Sequence, residues 1–179
     1  ATNLFWKKGF HATSMRNLQD EIDMRPASIY ATFGSKEGLF KEVLRNYTDI
    51  GLATIKQCQN EHDSLLEPLK ALVKSQVIPT QNNSANTVCM LVKTLNELTE
   101  ESQELVDITK AHLTEFLAAF VLILEKAKAL GELDENKDAQ EIANYLQIQM
   151  TGLRTYAKIM DDKNKLDEMI NSMFKHYPF

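Results

Sequence analysis

Thr13-Ser14-Met15-Arg16-Asn17-Leu18-Gln19-Asp20-Glu21-Ile22-Asp23-Met24-Arg25-Pro26-Ala27-Ser28-Ile29-Tyr30-Ala31-Thr32-Phe33-Gly34-Ser35-Lys36 holds most of what this chain says about its own architecture. Thr13 or Ser14 suits a helix start, because a hydroxyl there accepts a backbone N–H that has no partner inside the helix. Met15, Leu18 and Ile22 then recur at helical spacing, so one face is apolar and packs inward. Asp23, Met24 and Arg25 break that pattern. Pro26 fits the first position of a second helix, where its fixed φ is already helical and its missing N–H costs nothing. Along this second helix Ile29 and Phe33, four residues apart, face the core.

That packing leaves Arg25, Pro26, Ala27, Ser28, Tyr30 and Thr32 on or near the outward surface, where small and polar side chains permit close approach to base edges. Gly34 supplies a corner, Ser35 caps a third helix, and Glu37 lies favourably in its first turn. Lys36 opposes the helix dipole, yet with the free N–H groups around it forms a place that attracts a phosphate. Two short helices, a tight turn and the start of a long third helix together describe a helix-turn-helix.

Upstream, Leu4, Phe5 and Trp6 belong to a helix ending at Lys8, and Gly9 suits the left-handed position after it, so that Phe10 folds back on Phe5 in a Schellman-type contact. Trp6 reads as a packing residue of this small aromatic core.

Downstream, Leu39, Phe40, Val43, Leu44, Tyr47 and Ile50 carry the third helix toward Cys58, about 20 residues or roughly 30 Å. No linker rich in Pro, Gly or Ser intervenes, so a displacement of its far end would reach the recognition helix. Residues 63 to 78 form a further helix with Pro68 in its first turns or at a kink, Pro79 ends it, and Gln81-Asn82-Asn83-Ser84 is a loop. The next helix starts at Ser84 or Asn86 and carries Cys89, Leu91, Val92, Leu95 and Leu98. A long helix runs from about Ser102 to Leu130, capped by Gly131, and presents Leu105, Ile108, His112, Phe116, Phe120, Ile123 and Leu124. Asp138 with Glu141 resembles a capping box opening another, and a last helix carries Leu166, Met169, Ile170, Met173 and Phe174. The expected fold is all-α: a three-helix helix-turn-helix domain over residues 1 to 45, then a larger helical domain over 46 to 179.

With 179 residues the chain is long enough to bury a substantial core, and it has few breakers, six Gly and four Pro. Its net charge of −5 looks wrong for a partner of nucleic acid. The charge is unevenly divided, however. Residues 1 to 45 hold seven basic and five acidic side chains, a net of +2, and the rest hold thirteen basic and twenty acidic, a net of −7. A basic end on an acidic body orients the molecule toward phosphates. There is no run of 18 apolar residues and no signal peptide at the start, so a soluble cytoplasmic protein is expected. Cys58 and Cys89 without a CxxC argue against disulfides or a zinc finger.

Catalytic and cofactor motifs are absent: His11, His62, His112 and His176 form no HExxH, and there is no P-loop, GxGxxG or GxSxG. Glu100-Glu101 and Asp161-Asp162 are adjacent and point in different directions on a helix, which suits solvation rather than acid–base work.

At Gly9-Phe10, Thr13-Ser14, Asp23 to Arg25, Ser28-Ile29-Tyr30, Phe33 and Ser35-Lys36-Glu37-Gly38-Leu39-Phe40 the chain resembles the TetR family of bacterial transcriptional repressors. Cys89 with Asn96-Glu97-Leu98, Gly131-Glu132 and Gly152-Leu153-Arg154 continue a weaker likeness. The departures are Arg25, where many relatives have a capping Ser, and a start almost at Leu4, where the family has a longer, basic-flanked first helix. The natural N-terminus is therefore expected to lie upstream of this sequence.

The resemblance implies a ligand-responsive repressor that binds a palindromic DNA operator as a homodimer. DNA contacts then fall to Thr13, Ser14, Arg25, Pro26, Ala27, Ser28, Tyr30, Thr32 and Lys36. In the family the last two helices pair between subunits, which points to Leu146, Met150, Leu153, Tyr156, Ile170, Met173 and Phe174. Twofold symmetry would present two recognition helices to half-sites ~34 to 36 Å apart. The resemblance also implies a small-molecule inducer pocket, with Tyr47, Thr54, Cys89, Phe116, Phe120 and Tyr145 as lining candidates; taken singly, each reads more readily as core than as a ligand contact. Cys89 is either an inert buried thiol or a reactive one near a helix N-terminus. Two other classes stay open on sequence alone: a helical enzyme or ligand carrier, and a dimeric scaffold without DNA binding.

Overall fold

The structure, a computed structural model, describes residues 1–58, 64–78, 88–99, 102–160, 162–176 and 178–179. The expected breaker Pro79, the 81–84 loop, the helix starts at Ser84 or Asn86, and His62, Glu100, Glu101 and Asp161 lie outside the described residues. The described residues form nine helices and no strand: α1 Thr2–Lys8, α2 Met15–Ile22, α3 Pro26–Phe33, α4 Lys36–Gln57, α5 Leu66–Val77, α6 Met90–Glu97, α7 Gln103–Ala129, α8 Ala139–Tyr156 and α9 Lys163–Met173. The all-α expectation holds. Two compact units emerge, one of residues 1–50 and 89–114, the other of 51–88 and 115–179, with α4 and α7 each continuous across the division. Compactness thus groups α6 and the start of α7 with the N-terminal helices.

In the first unit Phe5, Phe10, Leu18, Ile29, Leu39, Phe40, Val43 and Leu44 are buried. The rings of Phe5 and Phe10 lie 4.8 and 4.9 Å from that of Phe40, and Trp6 meets Tyr47 edge-on at 5.1 Å. This is the aromatic mini-core that the sequence announces. Helix α1 ends as expected at Gly9, but with φ +89 and ψ 170 and one return bond, from its N–H to the Phe5 carbonyl. A Schellman motif would also return the Phe10 N–H to α1. Here the Glu97 carboxylate takes it instead, at 3.0 Å.

Helix α2 is capped by Ser14, whose hydroxyl accepts the Asn17 N–H while the Asn17 side chain accepts the Ser14 N–H. Thr13 is not the cap. Cys89 is the N-cap residue of α6 rather than part of its body.

In the second unit α5 packs against α8 and α9 around Leu69, Leu72, Val73, Val77, Ile142, Leu146 and Ile170. Lys74 on α5 pairs with Asp167 on α9 at 2.7 Å. Helix α7 ends at Gly131 as expected, and it does so in a Schellman pattern: the Glu132 N–H reaches the Ala127 carbonyl and the Gly131 N–H that of Lys128. The turn delivers the Glu132 carboxylate to the start of α5, where it accepts the Ser64 hydroxyl and the N–H groups of Leu65 and Leu66 at 2.7, 2.8 and 3.1 Å. Burial raises the Glu132 pKa, yet these three donors outweigh it and hold the carboxyl below its ordinary 4.5. Asp138 and Asp162 cap α8 and α9.

One expectation fails in this unit. Leu146, Met150, Leu153, Ile170 and Met173, expected on a subunit interface, are buried in the chain's own core, and Phe174 is half-buried with its ring 4.5 Å from Phe179. Of the seven residues only Tyr156 is exposed. Spacing identified the apolar stripe of each helix correctly, but a single chain already fills it. The exposed apolar residues of α8 and its end are Ile148, Tyr156 and Ile159, at 67, 46 and 77 % exposure.

Candidate nucleic-acid interface

Helices α2 and α3 pack on one another, and Leu18 of α2 and Ile29 of α3 are fully buried. The turn between them works because Asp23 adopts φ +50, ψ +40, a left-handed conformation that a short polar side chain tolerates better than most. Arg25 occupies the N-cap position of α3 and its side chain makes no capping bond; Pro26 at the first helical position removes one of the N–H groups needing a cap. Phe33 is half-buried rather than fully in the core.

This arrangement leaves Arg25, Ala27, Ser28, Tyr30 and Thr32 exposed on α3 and Pro26 half-exposed. A guanidinium, two hydroxyls, a phenol and a small methyl on one short helix offer hydrogen-bond donors and acceptors and an apolar contact, the groups that base edges and phosphates engage. Ser14 is exposed at the start of α2, and Arg16 follows it in the first turn, exposed as well. Sequence reading passes over Arg16, since a cation on a solvated helix face has no periodic signature.

One expected contact is overturned, and a second side chain is engaged elsewhere. Thr13 is fully buried, and its hydroxyl donates to the Gly9 carbonyl at 2.6 Å, so its side chain cannot reach a ligand. Lys36 is turned inward: its ammonium donates to the Phe10 and Thr13 carbonyls at 3.1 Å each and lies 4.3 Å from the centre of the Phe10 ring. The ammonium thereby ties the 10–13 loop to the start of α4, adding to the Thr13 N–H bond that the Phe10 carbonyl already accepts at 3.3 Å. Ser35 and Glu37 behave as the sequence implies. The Ser35 hydroxyl accepts the Gly38 N–H at 3.0 Å. A bond from its own backbone amide lowers the Glu37 pKa, opposed by partial burial and assisted by Ser35, Lys36 and Lys41.

The six candidate pocket residues divide between the units. In the first, the Tyr47 hydroxyl meets the Cys89 sulfur at 3.5 Å, with Cys89 buried. That setting favours the packing role of the thiol over a reactive one. In the second, Phe116 and Phe120 are buried, Thr54 and Tyr145 are half-buried, and the Phe116 ring crosses Gly51 so closely that a Cβ there would lie 2.6 Å from it. No group of three or more His, Cys, Asp or Glu fit to hold a metal occurs among the described residues, and no helix among them is long and apolar enough to cross a membrane.

The family model of bacterial regulatory proteins, tetR family, matches residues 1–43, and that of the tetracyclin repressor-like C-terminal domain matches residues 66–173. The HTH-type transcriptional regulator YezE of Bacillus subtilis is 23% identical over 172 residues, covering 96% of this chain and 89% of that protein. The HTH-type transcriptional repressor ComR of Escherichia coli is 24% identical over 179 residues, covering 99% and 85%. Among solved structures, a cysteine mutant of the TetR family transcriptional regulator CifR, complexed with 26-base-pair operator DNA, is similar with a TM-score of 0.87 at 26% identity, over 99% of this chain and 93% of that one. These proteins are regulators of transcription, not enzymes. With one family model covering the helix-turn-helix and the other spanning α5 to α9, the chain belongs to the TetR family of bacterial regulatory proteins.

Proposed function

We propose that this regulator is a cytoplasmic repressor that binds a palindromic operator as a homodimer and is released by a small-molecule inducer. The exposed face of α3, with Arg25, Ala27, Ser28, Tyr30 and Thr32 held out by a closed three-helix domain, is the observation that carries the DNA partner. Its companions on α2 are Ser14 and Arg16. The name of ComR as a repressor and the operator complex of CifR support the reading. Functionally, residues 1 to 45 form the reader and residues 46 to 179 the sensing and dimerising part.

For the dimer an exposed stripe along α8 and the turn after it replaces the buried one. Ile148, Gly152, Thr155 and Ile159 recur at intervals of four, three and four residues, with Tyr156 beside them, and all are exposed. A small residue at the centre of such a stripe allows close helix approach. Thr54, Phe116, Phe120 and Tyr145 remain the candidates for the inducer, a ligand with apolar bulk and a few polar atoms.

Selection of bound duplexes from a random pool, followed by a mobility shift across a salt series, tests the function. A repressor retains a symmetric sequence, and its affinity falls with salt by about 0.9 in log–log slope for each phosphate neutralised. Retention of no duplex would remove the DNA-binding reading and leave a carrier or scaffold. A monomer by light scattering at micromolar concentration would remove the dimer.

A further inference from the structure

Helix α6 presents one polar group per turn to the N-terminal helices of the first unit. At its N-cap the Cys89 sulfur meets the Tyr47 hydroxyl. One turn on, the Lys93 ammonium donates to the Trp6 and Lys7 carbonyls at 2.6 and 2.8 Å. A further turn on, the Glu97 carboxylate accepts the N–H groups of Phe10 and His11 at 3.0 and 2.6 Å. The last two side chains match charge to backbone polarity: the cation sits on the carbonyls that end α1, and the anion takes the two amides just past Gly9. Lys93 and Glu97 are four residues apart and could pair along the helix surface, yet both are spent on backbone.

The segment they hold leads straight to DNA-facing residues. Its other side is fixed by Lys36, on the Phe10 and Thr13 carbonyls, and by the Thr13 hydroxyl on Gly9. The next residue, Ser14, caps α2, and α2 packs on α3. Gly9 is adapted to the same contact: its φ is +89, and a Cβ there would lie 2.3 Å from Glu97 Oε2.

We propose that Lys93 and Glu97 are positioning residues for DNA binding, which clasp the α1 end and the 9–13 loop and so fix where α2 and α3 are presented. The inference rests on the DNA-binding reading above and adds the route by which α6 governs it. The four backbone contacts are made from adjacent turns of one helix, so a displacement of α6 acts on the α1 end and on the 9–13 loop together. The loop is then released from one side while Lys36 keeps it from the other.

The test compares the full chain with Glu97→Ala, Glu97→Gln, Lys93→Met and, as a control, Glu132→Ala, which removes an equal kind of cap at α5. Duplex selected by the wild-type protein serves as probe, titrated by anisotropy at a temperature where every variant is folded by circular dichroism. Glu97→Ala is expected to weaken affinity about tenfold and Lys93→Met several-fold, in the range found for residues that couple sites without touching either ligand. Glu97→Gln, which keeps one acceptor oxygen, recovers part of the loss, and Glu132→Ala stays within about twofold of wild type. Trp6 is the sole tryptophan, so its emission reports the clasp directly and shifts in Lys93→Met and Glu97→Ala but not in Glu132→Ala. Wild-type affinity in Glu97→Ala, alongside faster exchange of the Phe10 and His11 amides, would show a clasp that transmits nothing and overturn the proposal. Losses that track global stability equally in Glu97→Ala and Glu132→Ala would overturn it too. A wild-type protein that retains no duplex overturns the underlying reading, a result distinct from either.

Discussion

Glu97 accepts the amide hydrogen of Phe10 at 3.0 Å, so a residue from α6 finishes the end of α1. Gly9 makes this possible, combining a positive φ with a surface that lets the carboxylate come close. Gly9→Ala is expected to lower stability by about 1 to 3 kcal/mol, from forced positive φ and displacement of Glu97. Urea unfolding would read the loss, and amide exchange would locate it at Phe10 and His11. An unchanged urea midpoint would mean that the loop accommodates the methyl.

Lys36 offers a sharp distinction between a folding role and a phosphate contact. Removing its ammonium in Lys36→Met leaves the Phe10 and Thr13 carbonyls short of a donor, a loss of about 1 to 3 kcal/mol. The salt dependence of DNA binding should keep its slope, since the ammonium is not counted among the phosphate partners. A slope reduced by about 0.9 would instead assign Lys36 to a phosphate.

On the exposed face, Arg16→Ala and Tyr30→Ala should weaken binding to selected and random duplexes alike. Arg25→Ala, Ala27→Ser and Thr32→Val should change which bases are preferred, since each bidentate pairing with a base edge carries about 1 to 3 kcal/mol of discrimination. Competition titrations against single-base variants of the selected sequence measure both. Equal effects of the second group on every sequence would move those residues to the phosphate-contacting set.

Glu132 ties stability to pH. Its folded-state pKa is held below 4.5, so the charged carboxylate favours the folded form. That stability is fully present above about pH 4.5 and is lost as pH falls through the lowered value. Glu132→Gln should cost about 1 kcal/mol at pH 7, the usual worth of a helix cap, and the gap from wild type should close under acid. Thermal melts from pH 7 to pH 3 would check it; a gap that widened toward low pH would contradict the assigned sign.

The dimer face is separable from the core by paired substitutions. Ile148→Asp and Ile159→Asp should yield folded monomers by light scattering. Leu146→Asp places a charge at a fully buried site and should unfold the chain. A folded monomer from Leu146→Asp would return the interface to the buried stripe.

Local chemistry was enough to read the helix-turn-helix. Pro26, the Ser14 cap, the Asp23 break and the four-residue spacings act within one or two turns of themselves, so the order of residues alone specifies α2, the turn and α3, and with them the outward set from Arg25 to Thr32. The helix end at Gly131 and the Asp138 cap were legible for the same reason. Partners distant along the chain settle the rest. The Phe10 N–H goes to Glu97, 87 residues away, and the start of α5 is capped by Glu132, about 66 residues away. Periodicity marks an apolar stripe without saying whether its own chain or another molecule covers it, which is why Leu146 and Ile170 belong to the core and Ile148 and Ile159 do not. A lysine or threonine near a helix start likewise carries no sign of direction. Tertiary packing turned Lys36 and Thr13 inward, because the carbonyls of Gly9, Phe10 and Thr13 lay within their reach; the Phe10 oxygen, which already accepts the Thr13 N–H, takes Lys36 as a second donor.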